Sequence, residues 1–340
     1  EVFYLDLSQQ FNAELPPWTD LTLNSGIGFK SCWAAAAFTN NDNYSTIYLI
    51  AGIMRDQNQV DAFTSLVYAF NLRSGQWNIP VMKGKIPDRR REFQAVADDF
   101  GNIYVFGGGA DHYIGSTNVQ FLNDMAILNT SDLIWSYGPI INAPLPRVGY
   151  TATKLSNGVI VYIGGRERIN GNSANIVDIT QLYLYDTKLS SWSVVVLSDG
   201  KIIIYGGEKD LNNLEVAKVL PDLAVLNTSK FPFEWTIPQV SSKIGEVPLL
   251  AGHTAHLFGY YMIVAFGNLT QPNAGDSSRI YLLDIRSYTW VDKFELESSP
   301  INDALSNSSS ITTTSINPTP SAETTNISEN QISKEAKIII

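Results

Sequence analysis

Apolar runs of strand length recur along the first 295 positions, each cut off by Gly, Pro, Asn, Asp or Ser. In one stretch they lie at 93–97, 102–107, 121–128 and 134–137. They are too short for ordinary helices and rich in Val, Ile, Tyr and Phe, so they predict strands joined by tight turns. The pattern also repeats. Trp18, Trp77, Trp135, Trp192, Trp235 and Trp290 stand 59, 58, 57, 43 and 55 residues apart. Ahead of each, an apolar run ends on Asp6, Asn71, Asn129, Asp186, Asn227 or Asp284. A glycine element keeps step, at Gly107-Gly108, Gly164-Gly165 and Gly206-Gly207, with degraded copies at Gly52 and Gly267. Fourteen residues before the first glycine stands Phe93, Tyr150 or His253. Trp33 fills that slot before Gly52, with a five-residue insertion around 40–45.

Four strands in a unit of ~50 residues, repeated, are the pattern of a propeller blade. The glycine pair should end the second strand, where the backbone needs positive φ or close approach to the next blade. The Asp or Asn should make a side-chain-capped turn between strands three and four. The Trp should open strand four and pack between blades. One blade cannot bury both of its faces alone, so stacking must do it.

The aromatic/His slot, the Gly-Gly end, the apolar run closing on Asp or Asn and the following Trp resemble kelch repeats. The resemblance covers roughly residues 1–297 and extends to the propeller grouped with galactose oxidase. The opening Phe3-Tyr4-Leu5-Asp6 and Pro16-Pro17-Trp18 are similar to secreted or membrane-anchored kelch proteins of filamentous fungi. The implied fold is all-β, a kelch-type propeller of six blades.

The repeat breaks twice. Residues 2–20 hold only the last two strands of a blade, and the expectation is that upstream sequence supplies the other two. Between Trp192 and Gly206 the interval is 14 residues where the others run from 29 to 34. Trp192 must therefore serve strand four of one blade or strand one of the next. That blade should be incomplete, or a run at 193–197 should replace one strand. Either way an unpaired edge is expected, with its hazard of aggregation.

Residues 298–333 change character: 16 of these 36 are Ser or Thr, with no aromatic residue. Such a segment cannot bury enough apolar surface to offset its ordering entropy. The expectation is a disordered stalk over 298–340, open to O-glycosylation. The closing Lys334-Glu-Ala-Lys-Ile-Ile-Ile340 would lead into a membrane helix not present here. Sequons stand at Asn43, Asn129, Asn227, Asn268, Asn307 and Asn326. Together these predict an extracellular or cell-surface setting.

The net charge of −10, from 23 basic and 33 acidic residues, offers no field for nucleic acid. One cysteine, Cys32, excludes an internal disulfide and a Cys-cluster zinc site. Its place in a strand reads as a small buried apolar residue. A copper-radical oxidase of the kind the resemblance suggests needs two histidines, a tyrosine and a cysteine cross-linked to a second tyrosine. His253 and His256, the only close pair, lie three apart on a strand and point to opposite faces. No metal and no cofactor are expected. The expected function is non-catalytic binding of a protein or glycan through the propeller ends. A copper oxidase and a cytoplasmic kelch scaffold are the alternatives. The candidate binding residues lie in the loops leading into strand one (Arg89, Arg90, Arg91, Arg147) and those after the glycines (Arg55, His112, Arg166, Glu167). An arginine cluster on an acidic chain could grip a carboxylate-bearing peptide. Arg90 and Arg147 recur in register, which also fits a structural bond to the blade backbone.

Overall fold

The computed structural model describes residues 2–22, 25–26, 28–41, 44–56, 58, 65–168, 174–193, 200–211, 215–218, 221–229, 232–270, 275–296 and 337–339. Among them the only helical element is the short 3-10 turn His112–Ile114. The chain divides into two compact units. The first comprises residues 1–2, 20–205 and 220–238, and the second 3–19, 206–219 and 239–340.

Three antiparallel meanders of four strands build most of the first unit, and Lys83–Gly84 adds a fifth strand to the second, parallel to Ile134–Tyr137. Their strands are Ala35–Asn41, Tyr44–Ile50, Val67–Asn71 and Gln76–Asn78; then Ala95–Ala97, Asn102–Phe106, Met125–Asn129 and Ile134–Tyr137; then Thr151–Lys154, Val159–Ile163, Tyr183–Asp186 and Ser191–Ser193. A fourth sheet has three strands, Lys201–Tyr205, Leu223–Asn227 and Glu234–Thr236. Trp192 pairs with Tyr185 and so belongs to strand four of the third sheet. The shortened repeat therefore falls on the first strand of the fourth sheet, which is absent among the described residues. The alternative run at 193–197 lies outside them except for Ser193, which is in strand four.

The repeat residues act as their chemistry dictates. All six Asp/Asn side chains accept a backbone N–H two residues on, at 2.8–3.0 Å, for Asp6, Asn71, Asn129, Asp186, Asn227 and Asp284. Gly107 has φ +58°, and a Cβ there would lie 2.8 Å from the Arg147 carbonyl oxygen in the next sheet. Both reasons for glycine thus hold at one position. The inner strands carry the core: Val159–Ile163 is buried at every residue, and Val67–Asn71 and Leu223–Asn227 at all but the last. Trp192 bridges sheets, with its ring 4.8 Å from Phe106 of the preceding sheet and 5.1 Å from both Tyr162 and Tyr185 of its own. Burial of this kind is what makes a Trp-to-Ala change in a core cost about 3–5 kcal/mol.

Two copies of the glycine element sit one residue away from the expected register. Positive φ falls on Ala51 and Gly52, and on Phe266 and Gly267. The lone glycines are therefore the second of each pair. Trp33 likewise does not occupy the aromatic slot. A Cβ on Gly52 would touch Ala34, as one on Gly108 would approach Phe93 and one on Gly165 Tyr150. Ala34 is the slot residue, and Trp33 precedes it.

The second unit holds a sheet of five strands, in the order Ser241–Ser242, Thr289–Val291, Ile280–Asp284, Tyr261–Ala265 and Thr254–Phe258. It also holds a three-stranded sheet, Trp18–Asp20, Phe3–Asp6 and Lys337–Ile339. Phe11–Asn12 pairs with Lys293–Phe294, and the rings of Phe11 and Phe294 stack at 5.0 Å. Lys337–Ile339 form a strand against Phe3–Asp6, within the span 298–340 where a disordered stalk was expected. The rest of the tail, 297–336, lies outside the described residues, as do Asn43, Asn307 and Asn326. No helix among the described residues is long and apolar enough to cross a membrane.

Candidate docking face

The arginines divide into two groups. Arg90 is buried and makes a bidentate pair with Asp124 at 2.8 and 2.9 Å, and it also donates to the Gly107 carbonyl at 2.8 Å. Arg147 is fully buried and donates to the Gly164 carbonyl and to Glu167, both at 3.3 Å. The two arginines reach the glycine 17 residues on in their own sheets, so each fastens the entry of strand one to the end of strand two. Arg89 does similar work, donating to the carbonyls of Gly52 and Ser65. Burial holds the guanidinium pKa values of Arg89 and Arg147 below the usual arginine range. As binding residues Arg90 and Arg147 are therefore corrected: no ligand can reach a side chain enclosed by its own blade. Glu167, held by Arg147, is only partly buried.

The second group forms a surface. Arg91 leads into strand one of the second sheet, and Asp111 follows that sheet's glycines. Arg91 Nε donates to Asp111 Oδ2 at 2.9 Å, and its other nitrogens bond Asp111 and Glu92. Glu92 also accepts, at 2.7 Å, from Arg166, on the short strand Arg166–Glu167 that follows the third sheet's glycines. The result is a four-residue chain of alternating charge, Asp111–Arg91–Glu92–Arg166. Over it lie two aromatic rings. The Arg91 guanidinium sits 4.4 Å from the Trp33 ring and 5.9 Å from Tyr113. Those rings remain 54% and 48% exposed. The ring of His112 packs against Tyr113 at 3.9 Å, and its side chain is exposed. Arg55 is exposed on the strand Ile53–Asp56, which pairs with Phe29–Cys32.

This geometry changes the expected chemistry. Arg91 and Arg166 already hold carboxylates, two against two, so these four residues carry no net charge. What the face offers is a pair of exposed aromatic rings held over a locked guanidinium. Trp33, Glu92 and Tyr113 were not among the expected site residues. One signal was present in the sequence. The residue before the aromatic slot is Gly149 or Gly252 in two repeats, and both have φ +63°. Glu92 stands at that position with φ +56°, and Trp33 with φ +55°. A side chain kept where the backbone asks for glycine marks a position with another task.

The remaining candidate chemistry is sparse. Cys32 is exposed, in contrast to its expected burial. His253 Nδ1 lies 3.2 Å from the Leu250 carbonyl oxygen, and burial lowers its pKa. His256 is on the neighbouring strand Thr254–Phe258. Among the described residues no group of three His, Cys, Asp or Glu is placed to hold a metal. Asn129 and Asn227 serve the repeat turns, and Asn268 is exposed.

Sheets of this kind, stacked through inter-sheet tryptophans and glycine ends, define an all-β propeller. Residues 33–199 match the KLHDC2/KLHL20/DRC7 Kelch-repeats domain. Kelch repeats thus span residues 33–199 of the chain. It is 27% identical over 150 residues to Kelch domain-containing protein 3 of Mus musculus, across 43% of this chain and 36% of that one. It is 24% identical over 211 residues to Tip elongation aberrant protein 1 of Schizosaccharomyces pombe, across 58% of this chain and 18% of that one. It is 25% identical over 132 residues to the Rab9 effector protein with kelch motifs of Xenopus laevis, across 38% and 33%. The chain thus matches little more than a third of the length of these relatives, or less. The solved structure of YjhT has the same fold, with a TM-score of 0.54 at 17% identity, covering 79% of this chain and 84% of that one.

Proposed function

We propose that the chain is a non-catalytic kelch propeller that binds a protein partner through the face formed by Trp33, Arg91 and Tyr113. The observation that carries this reading is the pair of half-exposed aromatic rings fixed over an arginine that is itself held by two carboxylates. Binding hot spots are enriched in Trp, Tyr and Arg, and rings that are already ordered lose little conformational freedom on binding. The name of the Rab9 effector with kelch motifs is in keeping with a protein-binding role. The proposal includes an extracellular or cell-surface setting, supported by the Ser/Thr-rich stretch 298–333 and by Asn307 and Asn326.

The test compares tagged wild-type chain with the W33A/Y113A variant in capture from extracts and culture medium of the source cells. F100A is the control, since Phe100 is exposed in the turn between strands one and two. Circular dichroism establishes that all three are folded. The expected result is a protein retained by wild type and F100A and lost by W33A/Y113A. Identical capture by all three chains would refute the assignment of the face.

A further inference from the structure

Arg168 stands three residues after Gly165, the place that Asp111 holds after Gly108. The two sheets share a register there. Arg91 bridges to Gly109, and Val148 pairs with Arg166, so Val148 occupies the position of Arg91. In the second sheet this arrangement closes an ion pair between Arg91 and Asp111. In the third sheet Arg168 stands in place of the acid, and Val148, which is buried, stands in place of the base. Arg168 therefore has no countercharge at the matching position.

Its surroundings supply none either. The Arg168 N–H donates to the Pro146 carbonyl at 3.1 Å, which carries the ladder one residue past Arg166–Glu167. Arg166 and Arg168 thus lie on one side of the strand and Glu167 on the other. Glu167 turns to Arg147. The two arginines reach the second sheet: Arg166 bonds Glu92 at 2.7 Å, and the Arg168 guanidinium sits 4.6 Å from the Phe121 ring. Phe121 pairs with Gly109, two residues before Asp111, so this ring borders the docking face. Glu92, Asp111 and Glu167 each already hold an arginine. Among the described residues the Arg168 side chain has no hydrogen-bond acceptor, and of its nitrogens only Nε is fully enclosed. The Phe121 ring holds the guanidinium in place and leaves its terminal nitrogens without partners.

We propose that Arg168 is an oxyanion seat at the edge of the docking face, and that it takes a phosphorylated serine or threonine side chain of the partner. The inference rests on the proposed face and adds the chemistry of its occupant. Charge complementarity carries it. Arg91, Arg147 and Arg166 share Glu92, Asp111 and Glu167, and Arg168 is the positive charge left over. Its neighbour on the same side of the strand, Arg166, is about 7 Å away along the backbone. Guanidinium forks bind phosphate through paired N–H···O bonds. A phosphate monoester brings three acceptor oxygens and a charge of about −1.5 to −2, enough to face both arginines while Glu92 keeps its bond. A carboxylate brings two oxygens and a single charge, no more than Glu92 already gives Arg166. Recognition of phosphorylated segments by clustered arginines follows the same chemistry.

The test presents immobilised libraries of short peptides, random except for a central phosphoserine, serine or glutamate, to the full chain and to its R168Q, R168K, W33A/Y113A and F100A variants. Circular dichroism establishes that each is folded. Wild type and F100A should retain phosphoserine peptides at least tenfold over both other libraries. R168Q should lose that preference, and R168K should keep part of it, since lysine retains the charge and lacks the fork. W33A/Y113A should lose retention of all three libraries. Equal retention of phosphoserine and glutamate, or no retention of any library, would overturn the proposal. If R168Q discriminates as wild type does while W33A/Y113A binds nothing, the seat is refuted and the face stands. If W33A/Y113A binds like wild type, both are refuted.

Discussion

Arg90 and Arg147 hold the same repeat position, yet their surroundings predict different consequences for the same substitution. Arg90→Met would remove a bidentate partner from Asp124, whose side chain is 28% exposed, and a donor from the buried Gly107 carbonyl. Removing one member of a buried pair costs about 3–5 kcal/mol, and the partial exposure of Asp124 places this case near 3. At ~2–4 °C per kcal/mol for a domain of this size, the melting temperature should fall by about 6–12 °C. Arg147 is more fully enclosed but less well satisfied. Its two hydrogen bonds are both 3.3 Å long, and its Nε has no partner. Methionine would fill much of the same volume and remove a poorly compensated buried charge, so Arg147→Met should cost no more than about 1 kcal/mol. Urea denaturation followed by tryptophan fluorescence measures both, with the slope checked for constancy. The double variant R90M/D124N should lose less than the sum of its single changes, because the two residues share one interaction. An R147M chain that loses as much stability as R90M would refute the reasoning, since it would show that position in the repeat outweighs hydrogen-bond quality.

Two further outcomes are expected. Gly107→Ala should cost more than about 2 kcal/mol, because its Cβ would meet two carbonyl oxygens at 2.8 and 2.9 Å, whereas Gly149→Ala, at φ +63° with open space, should cost only the roughly 1–2 kcal/mol of left-handed strain; equal melting temperatures would contradict this. For His253, burial lowers the folded-state pKa below the unfolded value of 6.5, so the unfolded chain takes up the proton first. The stability it supports is complete above about pH 6.5 and is lost as pH falls through the folded pKa, so His253→Gln should flatten the decline of melting temperature between pH 7 and 5.

Much of the fold was legible because each repeat residue answers a local demand. The side chain of Asn71 or Asp186 caps its turn by accepting the backbone N–H two residues on, and Gly107 satisfies its own φ. Chemistry of this range is written in adjacent letters. The misplacements came where the demand was met by something other than the usual residue. Ala51 and Phe266 adopt positive φ without being glycine, which shifted the register of Gly52 and Gly267 by one. The docking face was harder to see. Arg91 meets Asp111 twenty residues away, and Glu92 meets Arg166 seventy-four residues away. Composition near Arg90 suggested a cluster of free cations, but which arginine turns inward depends on Asp124 and on the carbonyls it can reach.

The same logic explains why the face lies where it does. Successive loops are joined at the left-handed positions: the Glu92 N–H donates to the Trp33 carbonyl, and the Gly149 N–H donates to the Glu92 carbonyl. Glycine would make these links with less strain. A non-glycine residue held there costs roughly 1–2 kcal/mol, and the local chain has no need of it. At Glu92 that strain places a carboxylate between Arg91 and Arg166, which ties two sheets together. At Trp33 it places a half-exposed indole over the same arginine. At the position before the slot the repeat holds this geometry with Gly149 and Gly252. It departs from glycine at two adjacent repeats whose side chains converge on one guanidinium, and that convergence distinguishes a working surface from a scaffold.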